Sequence, residues 1–178
     1  MTTSHLDGRG RLLVIVRHAK SEQDAPSDHA RRLTDRGADD AVVAGRWLAE
    51  RQVVPQVVLV SSAARAVDTA EGLLAGISSA AGDGASAEPT VRALDELYGA
   101  SAEEVLDTVR ELPDTTTIAA VVGHNPTMAM TAQALAGDGG ASVGNFPTCA
   151  VAVFEVPGRW ADLEPGTATL VAQFTPDR

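Results

Sequence analysis

Three short apolar runs rich in β-branched residues, Leu12 to Val16, Val57 to Val60 and Ile118 to Val122, are each followed by a break and then by a segment with helical spacing. Runs of this length bounded by charged or turn residues read as buried strands. Strands that alternate with helices build a parallel sheet covered on both faces, because each crossover packs back on the sheet it leaves. The chain is therefore expected to be α/β, a three-layer α/β/α sandwich with a largely parallel central sheet. Its 178 residues, 44% of them hydrophobic, can bury one substantial core. One domain over residues 11–178 is expected, preceded by a flexible tail, residues 1–10, whose glycine and polar residues show no period.

Local signals fill in the remaining elements. Thr34 is placed to cap a helix whose apolar face recurs at Ala38, Ala41, Val42, Gly45 and Leu48. Ser61 or Ser62 caps the next helix, which carries Arg65, Asp68 and Thr69, and the Gly/Ala/Ser-rich segment from Gly76 to Ala87 reads as a surface loop. Thr90 to Ala93 reads as a short strand. Ser101 with Glu104 forms a capping box for a helix ending near Leu112, and Pro126 opens a helix ending near Leu135. A glycine-rich loop from Gly137 to Pro147 leads to two closing strands, Ala150 to Val156 and Thr167 to Phe174.

The net charge of −10 argues against general affinity for nucleic acid or an anionic membrane, so an anionic substrate must be captured locally. No apolar stretch is long enough to cross a bilayer, and the first residues lack the pattern of a signal peptide. The expected compartment is the cytoplasm. Cys149 is the single cysteine, which excludes an intrachain disulfide and a cysteine-rich metal site. His5 and His29 lie in polar segments without metal-ligand spacing, and no metal or organic cofactor is expected.

The chemistry sits at the strand ends. Arg17 and His18 close the first run, Arg65 lies in the first turn of the helix after the second, and His124 follows the third within Gly123-His124-Asn125-Pro126. Parallel strands bring their carboxyl ends to one edge, where helix amino termini add unpaired N–H groups for an anion. Taken singly, each residue has an ordinary explanation: Arg17 in a surface ion pair, Arg65 paired with Asp68 on its own helix, and either histidine in a strand-end hydrogen bond. Together they have the makings of a phosphate site. Ser21 and Asn125, beside the two histidines, are further candidates to face it, although both are also suited to capping turns, Ser21 above all.

The segments Arg17-His18-Ala19, Ser61-Ser62-x-x-Arg65-x-x-x-Thr69-Ala70 and Val122-Gly123-His124-Asn125-Pro126 resemble the motifs of the histidine phosphatase superfamily, which includes phosphoglycerate mutases and acid phosphatases. Order and spacing match over most of the chain. The small size, Leu33-Thr34-x-x-Gly37 and Phe146-Pro147-Thr148 are most similar to the SixA-type phosphohistidine phosphatases. The resemblance implies a phosphoglycerate mutase-like fold in which His18 attacks phosphorus while Arg17, Arg65 and His124 hold the phosphoryl oxygens. It places a general acid at Glu96, in Leu94-Asp95-Glu96-Leu97-Tyr98-Gly99, with Asp95 as the second candidate.

Two residues depart from the pattern: Ala19 stands where glycine usually follows Arg-His, and Ser62 where proline is common. Ala19 is expected to narrow the space near the phosphate by one methyl group and to disfavour a positive φ. The implied substrate is a phosphorylated protein, such as a histidine-containing phosphotransfer domain. The alternatives are a phosphatase for a small phosphorylated metabolite and a catalytically weak phosphoprotein-binding module.

Overall fold

The computed structural model describes residues 10–81 and 87–177; residues 1–9, most of the expected tail, lie outside the described residues. In chain order the elements are β1 (Arg11–Arg17), α1 (Asp35–Glu50), β2 (Val57–Ser61), α2 (Ala64–Ala81), β3 (Thr90–Leu94), α3 (Ala102–Arg110), β4 (Ile118–Gly123), α4 (Thr127–Ala136), β5 (Val151–Val156) and β6 (Thr169–Phe174). They form one sheet in the order β3-β2-β4-β1-β5-β6. The pairs β3/β2, β2/β4 and β4/β1 are parallel, whereas β1/β5 and β5/β6 are antiparallel. The sheet is thus mixed, and its parallel half carries the three strand ends singled out in the sequence.

Alternation along β1 divides the core between the two sheet faces. Leu13 and Ile15 pack with Val105, Leu106, Met128 and Leu135 from α3 and α4. Leu12, Val14 and Val16 pack with Ala41, Ala44, Leu48, Ala70 and Leu73 from α1 and α2. Period-two side chains on a strand buried on both faces require this near-continuous apolar run.

The caps of α1 and α3 follow the sequence signals, whereas α2 begins at Ala64, beyond Ser61 and Ser62, the two serines expected to cap it. Thr34 accepts a hydrogen bond from the Gly37 amide at the start of α1, and Ser101 and Glu104 close the reciprocal box on α3. Pro126 takes the N-cap position of α4, one residue before its expected place inside the helix.

The segment beginning at Gly76 departs from expectation. Here α2 continues to Ala81, with Gly76 and Ile77 buried, so this stretch is helix and only the remainder, residues 82–86, lies outside the described residues. Gly76 itself has a packing role. A Cβ on Gly45 would lie 2.0 Å from the Leu73 carbonyl oxygen, and one on Gly76 would lie 2.1 Å from the Val42 carbonyl oxygen. The two glycines let α1 and α2 approach backbone to backbone. Alanine normally improves a helix interior by about 0.5–1 kcal/mol over glycine. Here overpacking wins, and Gly45→Ala is expected to lower stability by about 2–3 kcal/mol in urea denaturation.

Candidate active site

Register explains how the strand ends converge. Arg17 of β1 pairs with Gly123 of β4, so the next residues, His18 and His124, emerge side by side with ring centroids 5.2 Å apart. Val60 of β2 pairs with Val122 of β4, which brings Ser61 level with Gly123 and its hydroxyl within 2.8 Å of His124 Nε2. Arg65 enters from the first turn of α2, and its Nε lies 3.4 Å from His18 Nε2. Both His18 and Arg65 are buried, at 9% and 6% exposure.

A hydrogen bond assigns the proton on the His18 imidazole. His18 Nδ1 is 2.7 Å from the Ala19 carbonyl, which can only accept, so Nδ1 carries the hydrogen and Nε2 presents a lone pair. Ser61 Oγ accepts from the Ala63 amide at 3.4 Å and keeps both its proton and a second lone pair for the contact with His124 Nε2. His124 Nδ1 is buried without a protein partner, as is Arg17 Nε. Two buried nitrogens without a protein partner beside a nucleophilic lone pair are a suitable constellation for an oxyanion that arrives from outside.

Burial pushes the His18 imidazole down to about 4; the bond to Ala19 opposes this, and the charges of Arg65, Arg17 and Arg31 add to it. Burial, followed by the Arg65 charge, likewise pushes His124 down to about 4. Both rings are therefore neutral at pH 7. In a proton NMR titration they are expected to keep their neutral shifts until the pH approaches about 4, well below the ordinary imidazole value of about 6.5. The sign for stability follows. Between about 6.5 and 4 the unfolded chain takes up protons that the folded chain refuses, so stability falls as the pH drops through this window.

Arg65 is held by a residue that sequence reasoning passed over. Its Nη1 donates to the Asp28 carbonyl at 2.7 Å and its Nη2 to Asp28 Oδ2 at 3.0 Å. These bonds occupy the end of the guanidinium and leave its Nε side facing His18. The same Oδ2 accepts from Tyr98 Oη at 2.6 Å, and Oδ1 accepts from Arg31 at 3.0 Å. Bonds from Tyr98, Arg31 and Arg65 hold the Asp28 carboxyl far below the usual carboxylate range. It is an acceptor that orients Arg65, and it is ionised too firmly to be a proton donor. Ser61 was read only as a cap, and its contact with His124 is the second feature the sequence did not reveal.

The other candidates are placed as follows. Arg17 Nη1 and Asn125 Nδ2 both donate to the Phe146 carbonyl, at 3.1 and 2.8 Å, and Asn125 Oδ1 accepts from the Ala129 amide at 3.3 Å. The Asn125 amide is thus used at both ends in fastening the loop before β5. Ser21 Oγ accepts from Arg31 Nη2 at 2.9 Å and pairs through its backbone with Leu33. Asp95 and Glu96 lie exposed on a short 3₁₀ turn, Asp95–Leu97, just before Tyr98. Neither side chain hydrogen-bonds to His18 or its partners.

Ala19 does not narrow the pocket as expected. It is fully buried in the core on the α1/α2 side of the sheet, and its amide donates to Thr69 Oγ1 at 2.9 Å. Thr69 in turn donates to the Arg65 carbonyl at 2.6 Å. Among the described non-glycine residues only Gln52 and Cys149 have positive φ, so the turn after His18 needs no glycine conformation.

Known proteins share this architecture. The family model for the histidine phosphatase superfamily (branch 1) matches residues 13–81. An uncharacterized protein of Mycobacterium tuberculosis strain H37Rv is 37% identical over 169 residues, spanning 90% of this chain and 99% of the relative. A solved structure from Nakamurella multipartitia, assigned as a phosphohistidine phosphatase SixA, superimposes with a TM-score of 0.82 at 33% identity, covering 95% of this chain and 98% of the other. A second SixA assignment, from Agrobacterium tumefaciens, gives 0.76 at 26% identity, with 95% of this chain and all of that one covered. Matching sequence, matching fold and a paired-histidine, paired-arginine site at the parallel strand ends agree, and the chain belongs to the histidine phosphatase superfamily.

Proposed function

We propose that this protein is a metal-independent phosphatase that removes phosphate from phosphohistidine on a protein, through a phosphohistidine formed on its own His18. The observation that carries the reading is the His18 tautomer: Nδ1 is tied to the Ala19 carbonyl, so the lone pair lies on Nε2, where a long hydrogen bond of 3.4 Å from Arg65 Nε engages it. The SixA assignments of the Nakamurella and Agrobacterium proteins supply the substrate class.

In the first step Nε2 attacks phosphorus in line. The Nε2–P bond forms as the P–N bond to the substrate imidazole breaks, and the electron pair leaves with that nitrogen, which takes a proton from solvent water. Water then attacks phosphorus, the Nε2–P bond breaks, and phosphate is released. Arg17, Arg65 and His124 Nδ1 surround the charge that spreads over the equatorial oxygens. An imidazole leaves readily, whereas an alkoxide needs a proton from an acid. Glu96 is our candidate for that second task, with Asp95 in reserve; both are exposed beside the Tyr98 turn.

Among the described residues no helix is long and apolar enough to cross a membrane, and the net charge of −10 disfavours anionic polymers and surfaces. A histidine-containing phosphotransfer domain fits the proposed partner class, and the cytoplasm the proposed compartment. The reading is tested by comparing kcat/KM for a phosphohistidine protein with a panel of small phosphomonoesters. Preference for the phosphohistidine protein supports it. Preference for one small ester over the protein substrate would reject it in favour of metabolite hydrolysis.

A further inference from the structure

Beyond His124 the site continues outward as a row of rings. The Tyr98 ring stands edge-on to His124, with centroids 5.6 Å apart and planes at 89°. His29 stands edge-on to Tyr98, at 5.0 Å and 71°. Both outer rings are exposed, Tyr98 to 38%, yet both are fixed. Tyr98 Oη is bonded to Asp28, His29 Nε2 lies 3.0 Å from Ser62 Oγ, and the His29 carbonyl accepts from the Ala64 amide at 3.0 Å. An exposed aromatic side chain held at its polar end has a π-surface that the core does not use.

In-line displacement puts the leaving atom on the far side of phosphorus from His18 Nε2. Ala19 and Thr69 behind His18 are buried, so a leaving group must project toward the solvent side of the site, the side on which the exposed Tyr98 and His29 rings extend from His124. We propose that Tyr98 and His29 form a leaving-group wall that selects planar aromatic leaving groups, such as the imidazole of phosphohistidine or a phenol, over saturated ones. The proposal rests on His18 being the nucleophile and adds two specificity-determining residues to that reading. The wall favours planarity because flat rings reach the edge-to-face and offset-stacked geometries that aromatic pairs prefer, and a saturated ring cannot.

The test uses one pair matched in leaving-group acidity and one matched in ring size, each differing in planarity. For turnover, phenyl phosphate is compared with hexafluoroisopropyl phosphate, whose leaving group is of similar acidity. For binding, phenylphosphonate is compared with cyclohexylphosphonate by calorimetry, which reads the wall even where hydrolysis is slow. Tyr98→Leu is expected to lower the planar-to-saturated ratio of the wild type by about fivefold in both assays, the scale of one aromatic contact. His29→Ala is expected to lower it by about twofold. Tyr98→Phe keeps the ring, so the ratio stays at the wild-type value even if the lost bond to Asp28 slows both substrates. Unchanged ratios in Tyr98→Leu and His29→Ala would overturn the proposal, and would mean that Tyr98 acts only through Asp28 and Arg65. Failure of the wild type on a phosphohistidine protein would reject the proposed substrate while leaving these ratios to decide the wall.

Discussion

His18→Ala is expected to lower turnover of every phosphorylated substrate by about 10⁴-fold or more, because the substitution removes the atom that forms the covalent intermediate. The remaining donors, Arg17, Arg65 and His124, still bind an oxyanion, so inorganic phosphate or tungstate should bind His18→Ala with affinity within about tenfold of the wild type. Loss of chemistry with retention of binding separates the nucleophile from the cradle. Steady-state rates together with calorimetric titration of tungstate check both halves. The fold should tolerate the change: His18 lies at the end of β1, and the large apolar side chains of both core clusters are supplied by other residues.

Arg65→Ala is expected to cost about 10³-fold in kcat/KM, the upper scale for removing one donor from a preorganised oxyanion site. Arg65→Lys should recover little of it. A lysine cannot span the Asp28 carbonyl and carboxylate while also presenting a donor to the ligand beside His18. The same geometry sets the expectation for Asp28→Asn, which keeps the backbone carbonyl and one side-chain oxygen as acceptors, turns the other oxygen into an NH2 donor and loses the charge. It should reduce kcat/KM by about tenfold and weaken tungstate binding, whereas Asp28→Ala should approach the Arg65→Ala loss. Asp28 is more than half exposed, so its effect on melting temperature should be small. A drop in stability that matched the drop in rate would show that Asp28 acts on folding rather than by positioning Arg65.

The parts of this structure that depend on local chemistry were legible in the sequence. The β-branched runs became β1, β2 and β4, Thr34 and Ser101 became caps, and the residues after three apolar runs met at one edge of the sheet. Parallel register makes that meeting a matter of counting, since His18 and His124 each follow a residue of the Arg17/Gly123 pair.

What the sequence hid depends on tertiary contact. Asp28 lies in an aperiodic polar stretch among 24 acidic residues, and its partners Arg65 and Tyr98 are 37 and 70 positions away. Its one visible signal was its place, in the connection that leaves the first strand at the carboxyl edge, where α/β sites are built. The helix beyond Gly76 was hidden for a different reason. Glycine lowers helix propensity, and only the close approach of α1 shows why it is there.

The central claim is that His18 Nε2 carries the phosphoryl group between the two steps. The direct measurement is to quench the reaction with a phosphorylated substrate in the pre-steady state and locate the label by mass spectrometry and by phosphorus–proton correlation NMR. The account predicts up to one acid-labile, alkali-stable phosphoryl group per chain, on His18 and on its Nε2, and none on His18→Ala. A phosphoryl group on another residue, or on His18 Nδ1, would contradict it.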